Sequence, residues 1–126
     1  MPRPDIQLLA LRPAIKKATT EKSGVVETFQ NAVIRPIIKL QHDVIIAMVE
    51  NEKTFELAVS GAKTKDEYRS LANIWMQKRP KIKNQLIGVV MGMFLEEEIE
   101  DYHLHYHEYD KRIIQIILTR VADTLY

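Results

Sequence analysis

The 126 residues read as an all-α chain: an irregular bundle of about five helices in a single domain, without a sheet. Apolar residues recur at spacings of three and four along most of the chain, as one face of a helix requires. No stretch sustains the period-two alternation of a half-buried strand, and no Asn-Gly or Asp-Gly hairpin turn occurs. One domain of this length can bury a core without disulfides or a structural metal, and 46% hydrophobic residues is ordinary for a globular fold.

Residues 1–24 hold Pro2, Pro4 and Pro13, then Ser23-Gly24. Proline fixes its own φ and pushes the preceding residue out of helical geometry. This segment is therefore expected as an N-terminal arm or short helix, with 25–126 as the helical domain. From Val25 onward, Phe29, Val33, Ile37, Leu40, Val44, Met48, Phe55 and Val59 fall on one helical face, widened by Ile34, Ile38, Ile45 and Val49. A helix apolar over so much of its circumference belongs in the middle of a domain. Pro36 lies inside this pattern and costs roughly 3 kcal/mol in a helix interior, which predicts a kink there or a start near Asn31, a good N-cap residue. A further break is expected near Asn51, and Gly61 is a plausible stop.

Thr64-Lys65-Asp66-Glu67 has the form of a capping box, a hydroxyl followed three residues later by a carboxylate. The helix that it opens carries Tyr68, Leu71, Ile74 and Trp75 and ends at Lys78 and Arg79 before Pro80. A further helix is expected from about Lys81 to Phe94, with Ile82, Leu86, Val89, Val90 and Met93; Gly88 and Gly92, four apart, would let another backbone approach closely. Glu96-Glu97-Glu98 suits the positive end of a helix. After it, Ile99, Tyr102, Tyr106, Tyr109, Ile113, Ile116 and Ile117 keep helical phase, as one long helix or two with a break near Tyr106. Segments 25–59 and 108–125 are expected at the centre, with 81–94 against them.

With 18 basic and 17 acidic residues no charge of one sign dominates, so neither a general nucleic-acid binder nor a polybasic membrane protein is indicated. The absence of cysteine removes disulfides, thiolate zinc sites and cysteine nucleophiles together. The apolar patch from Ile6 to Leu11, interrupted by Gln7, is too short for a signal-peptide core. The longest uncharged run, Asn84 to Leu95, falls well short of the roughly 20 residues of a spanning helix. A cytoplasmic location without membrane association is expected.

Three constellations carry chemistry. On a continuous helix Glu100, His103, His107 and Asp110 fall within roughly 80° of one another, and Glu100 to His103 has the Glu-x-x-His spacing of di-iron carboxylate bundles. Those bundles need that motif twice, and here it occurs once; the simpler reading is a solvent-facing polar strip. Lys78, Arg79, Lys81 and Lys83 form a basic cluster that could hold a phosphate or nucleic acid, although two of these charges sit at an expected helix C-terminus, where cations are favoured anyway. Gln30, Asn31, Arg35, Lys39, Gln41 and His42 lie on the most apolar helix. Half-buried polar groups cost free energy unless paired, so this set either ties helices together or lines a pocket.

Phe29-Gln30-Asn31 followed by Ile34-Arg35-Pro36-Ile37-Ile38-Lys39-Leu40-Gln41 resembles a small all-helical bacterial protein family of unknown function that carries Phe-Gln-Asn and Leu-Arg-Pro-Ile in this place. Lys83 to Gly88 and Asp110 to Ile114 are similar to later blocks of that family, so the likeness spans most of the chain from residue 25. Some members bear the label glyoxalase. The glyoxalase folds are built on sheets, which a strand-free chain cannot supply. The resemblance implies an all-helical fold and names no activity.

The expected function is a non-enzymatic structural or protein-interaction domain, self-associating as a homodimer through apolar helices. Its ground is the excess of apolar surface: Ile113, Ile114, Ile116, Ile117 and Leu118 leave little of the last helix polar. The alternative is a metal-dependent helical enzyme or metal-binding protein using Glu100, His103 and His107. No cofactor is expected on the first reading and a divalent metal on the second. Nucleic acid is not an expected partner.

Overall fold

The computed structural model describes residues 3–13 and 24–126, and among these there are helices and no strand. Helix α1 (Asp5–Leu11) belongs to the arm; residues 1–2 and 14–23, Ser23 included, lie outside the described residues. Then α2 (Val25–Phe29), a π-helical turn (Gln30–Ile34), α3 (Arg35–Leu40) and α4 (His42–Glu50) follow one another almost without interruption. They are succeeded by α5 (Phe55–Val59), α6 (Lys65–Gln77), α7 (Pro80–Met91), α8 (Glu96–Leu104) and α9 (Tyr106–Leu125). The all-α class holds, but the expected five helices are divided further. The interruptions fall at the π-helical turn, at Gln41, at residues 51–54 and at His105, whose φ of −138° and ψ of 36° separate α8 from α9.

Pro36 does not break its helix. It occupies the first turn of α3, where its missing N–H is least costly, directly after a turn in which the Arg35 N–H reaches five residues back to the Gln30 carbonyl. Such a π-helical turn holds one extra residue and so turns everything beyond it by about 100°. The burial pattern records that rotation. Phe29, Val33 and Ile34 are buried ahead of the proline, and beyond it through α4 the buried residues are Ile37, Ile38, Ile45, Ile46 and Val49. The stripe expected through Leu40, Val44 and Met48 is therefore displaced: Val44 is 47% exposed and the other two are half-buried.

The main partner of α9 is α6, a pairing the apolar pattern of the long rod did not indicate; the rod and α7 close the remaining sides. The buried face of α6 is formed by Tyr68, Ala72, Trp75 and Met76, of which Ala72 is fully buried. Of the α9 residues on which self-association was expected, Ile113, Ile114, Ile117 and Leu118 are at most 1% exposed within the single chain, and Ile116 is half-buried. A ring cluster fills the end nearest the arm, with Phe29 4.4 Å from Tyr109 and 5.6 Å from Phe94. No second helix approaches Gly88, which has open space around it; Gly92 faces only the Gly88 and Val89 carbonyls of the preceding turn.

Local signals hold at several ends. The Thr64 hydroxyl caps α6 by accepting from the Glu67 N–H at 3.1 Å, while the Glu67 carboxylate turns to the Lys63 N–H. Among its described residues the arm is attached mainly by two arginines, with Asp5 accepting from the Glu96 N–H at 3.4 Å. No residue of α1 is buried, and Ile6, Leu9 and Leu11 are all more than half exposed. Arg3 donates to the carbonyls of Gly92 and Phe94 at 2.9 Å. Arg12 forms a two-pronged pair with Glu98 at 2.9 and 2.5 Å, and Glu98 also takes the Leu95 N–H at the start of α8.

An arginine-lined cleft between the π-helical turn, α6 and α9

The same rotation that moves the core stripe determines what the opposite side of the rod presents. Gln30 and Arg35, either end of the π-helical turn, face α9, and with Arg69 of α6 they wall a cleft of about 440 Å³. From α9 come Arg112, Gln115, Ile116, Thr119 and Arg120, with Asp123 and Thr124 at the far end. On α9 these residues recur at spacings of three and four, so they form one stripe away from the isoleucine core.

Each guanidinium is oriented by a neutral partner. Arg35 Nε donates to Asn31 Oδ1 at 3.0 Å, and Asn31 is itself buried. Arg112 donates to Gln30 Oε1 at 2.9 Å and also to Glu108, one turn back on its own helix. Arg69 crosses from α6 to α9, donating to Thr119 Oγ1 at 2.9 Å and Gln115 Oε1 at 2.6 Å. Arg120 donates to His42 Nδ1 at 3.2 Å, which requires that nitrogen to be the unprotonated one. Among the described residues, Arg112 alone of the four faces a carboxylate within ion-pairing distance, and Asp123 on the rim is engaged by Lys65 at 3.3 Å. Although Glu108 pairs with Arg112, the cleft keeps an excess of positive charge, because the other three half-buried guanidiniums, those of Arg35, Arg69 and Arg120, are fixed by amides, a hydroxyl and an imidazole alone. Such groups present paired N–H donors to carboxylate and phosphate oxygens.

Of the polar set expected on the long helix, Gln30 and Arg35 line this cleft, Asn31 holds Arg35 and His42 holds Arg120. Lys39 is exposed on α3, and Gln41 turns away to bond the Val89 carbonyl of α7 at 3.4 Å. The histidine strip is divided by the break at His105. His103 Nδ1–H donates to the Ile99 carbonyl at 2.8 Å. Asp110 accepts from the Tyr102 hydroxyl; burial first, then this hydrogen bond, holds that hydroxyl well above the ordinary phenol range. Among the described residues no three His, Asp or Glu side chains are placed to hold one metal ion, so Glu100, His103, His107 and Asp110 are not brought together.

The basic cluster is dispersed as well. Arg79 lies over the Trp75 ring at 5.6 Å and donates to Thr54, Lys78 and Lys81 are exposed, and Lys83 donates to Gln77. Lys83 lines a second cleft with Lys111, His107 and Asp110. Arg69, Arg112, Thr119 and Arg120 were not singled out from the sequence. The spacing of Arg112, Thr119 and Arg120 on one helix was a usable signal for three of them. Nothing local marks Arg69, which joins through tertiary packing alone.

No helix among the described residues is long and apolar enough to cross a membrane. No protein-family model, curated protein or solved structure matches the chain.

Proposed function

We propose that this chain is a helical binding domain for an anionic ligand, held without covalent chemistry in the cleft formed by Gln30, Arg35, Arg69, Arg112 and Arg120. The observation that carries the reading is the pre-orientation of four arginines around one cleft by mainly uncharged partners. Guanidiniums left to themselves on a surface are solvated and cost side-chain entropy to order, whereas those already fixed have lost that freedom before a ligand arrives. Calorimetric titration with inorganic pyrophosphate tests the proposal. Binding is expected for the parent chain and a loss of at least ten-fold in Arg35→Met/Arg120→Met; unchanged affinity in that variant refutes it.

A second reading, association with another copy of this chain, is supported by α1, where Ile6 at 83%, Leu9 at 54% and Leu11 at 57% are exposed on one short helix. It moves the expected contact from the central helices to the arm. Sedimentation at micromolar concentration tests it, and a species of 14.7 kDa alone counts against it.

A further inference from the structure

Resting on the anion-binding reading, we infer that the ligand is a compact, multiply charged anion with no aromatic moiety: a condensed phosphate or a polycarboxylate rather than a nucleotide or a nucleic acid. Three features of the cleft carry this. Its charge is plural, since Arg35, Arg69, Arg112 and Arg120 approach from three separate segments and a single monoanionic group would engage only one or two of them. The remaining polar lining is Gln30, Gln115, Thr119 and Thr124, with the carboxylate of Asp123 at the far end held by Lys65; the two amides and the Thr124 hydroxyl can donate to anionic oxygens. The apolar lining is Ile116, without a phenylalanine, tyrosine or tryptophan ring among the lining residues. Proteins that hold bases stack them on such rings, and the stacking contributes on the order of ten-fold or more per base. Arg79, the arginine that does lie against an aromatic ring, is elsewhere, on Trp75.

The size agrees. A volume of about 440 Å³ is within the range of small-molecule sites and too small for a folded partner. The hydroxyl and amide that hold Arg69, Thr119 and Gln115, are themselves lining residues. A ligand entering between α6 and α9 can therefore exchange the Arg69 contacts for its own oxygens without moving either helix.

The experiment is a calorimetric comparison of tripolyphosphate, citrate, ATP and AMP on the full chain at one ionic strength, repeated on Arg35→Met/Arg112→Met. A further variant, Lys83→Met/Lys111→Met in the second cleft, controls for general charge loss. The expected result is that tripolyphosphate or citrate binds within three-fold of ATP, that AMP binds at least ten-fold more weakly, and that only the arginine variant loses affinity. Which of the first two is tighter separates a phosphate from a carboxylate ligand. ATP binding more than ten-fold tighter than tripolyphosphate overturns the compact-anion inference and leaves the anion-binding reading standing. Absence of binding by every polyanion overturns both, as does equal weakening in the lysine variant. Circular dichroism and unligated melting temperature of each variant separate lost binding from lost folding.

Discussion

Arg12→Met and Glu98→Gln, singly and together, measure how the arm is attached. The pair they remove is two-pronged, and its side chains are only 6% and 11% exposed. Removing one member of a buried ion pair typically costs about 3–5 kcal/mol, because the survivor is left charged without a partner. Here the figure falls at the low end. Helix α1 buries no residue, so the arm can swing off and return Arg12 to water, and the loss is capped near the free energy of that local opening. We therefore expect about 3 kcal/mol for either single change. For a domain of this size that corresponds to a fall in melting temperature of roughly 12 °C. Glu98→Gln keeps an oxygen for the Leu95 N–H, so the start of α8 survives and the loss reports the charge pair alone. The double variant leaves no buried charge and should recover about 1–3 kcal/mol relative to the sum of the singles. The assay is thermal unfolding followed by circular dichroism, with proteolysis of the arm as a second readout. Strict additivity of the two changes, within about 0.5 kcal/mol, or a fall below roughly 4 °C in both singles, would show that the arm is held by something else.

Two further outcomes follow from features described above. Deleting the exposed Ala32 should convert the π-helical turn to ordinary helix and preserve cooperative unfolding, whereas deleting the equally exposed Ala47 should abolish it by turning Val49 and Phe55 through about 100°; similar melting curves for the two deletions would contradict this account of the turn. Burial raises the hydroxyls of Tyr68, Tyr102 and Tyr109 above the tyrosine value of 10.0, so the folded chain keeps protons that the unfolded chain releases. Stability is therefore full below about pH 10 and falls as the pH climbs beyond it. Tyr102→Phe should show a shallower fall, and a melting temperature independent of pH across that window would count against the assignment.

What could be read from the residues was what local chemistry decides. Helix class and the Thr64 cap follow from spacing and side-chain type, and the break between α8 and α9 was one of the two alternatives that the tyrosine spacing left open. The face of the long helix did not, because a strict 3.6-residue period carried through Pro36 assigns Val44 to the core. An inserted residue resets that phase and leaves no mark of its own in the composition. Glu100, His103 and His107 are solvent-facing, as the simpler reading had them. The single face drawn for the histidine strip was lost for the complementary reason. Its geometry held only on an unbroken helix, and the break that the tyrosine spacing allowed at Tyr106 falls between His103 and His107. The cleft was half legible. Gln30 and Arg35 were visible as polar residues stranded on an apolar helix, while Arg69 reaches the site only through the packing of α6 on α9. No pattern within thirteen residues of α6 announces which of its cations will turn inward.

The cleft brings together Gln30 and Arg112, which are 82 positions apart in the chain, and adds a residue from the segment between them. Whatever binds there behaves as a removable cross-link. At a concentration one hundred times its dissociation constant, such a ligand would add about 2.7 kcal/mol to the stability of the whole chain. The fraction of molecules unfolded, and with it the rate at which proteases remove them, would then follow the supply of that ligand. The abundance of the protein would become a measure of how much of its anion is present.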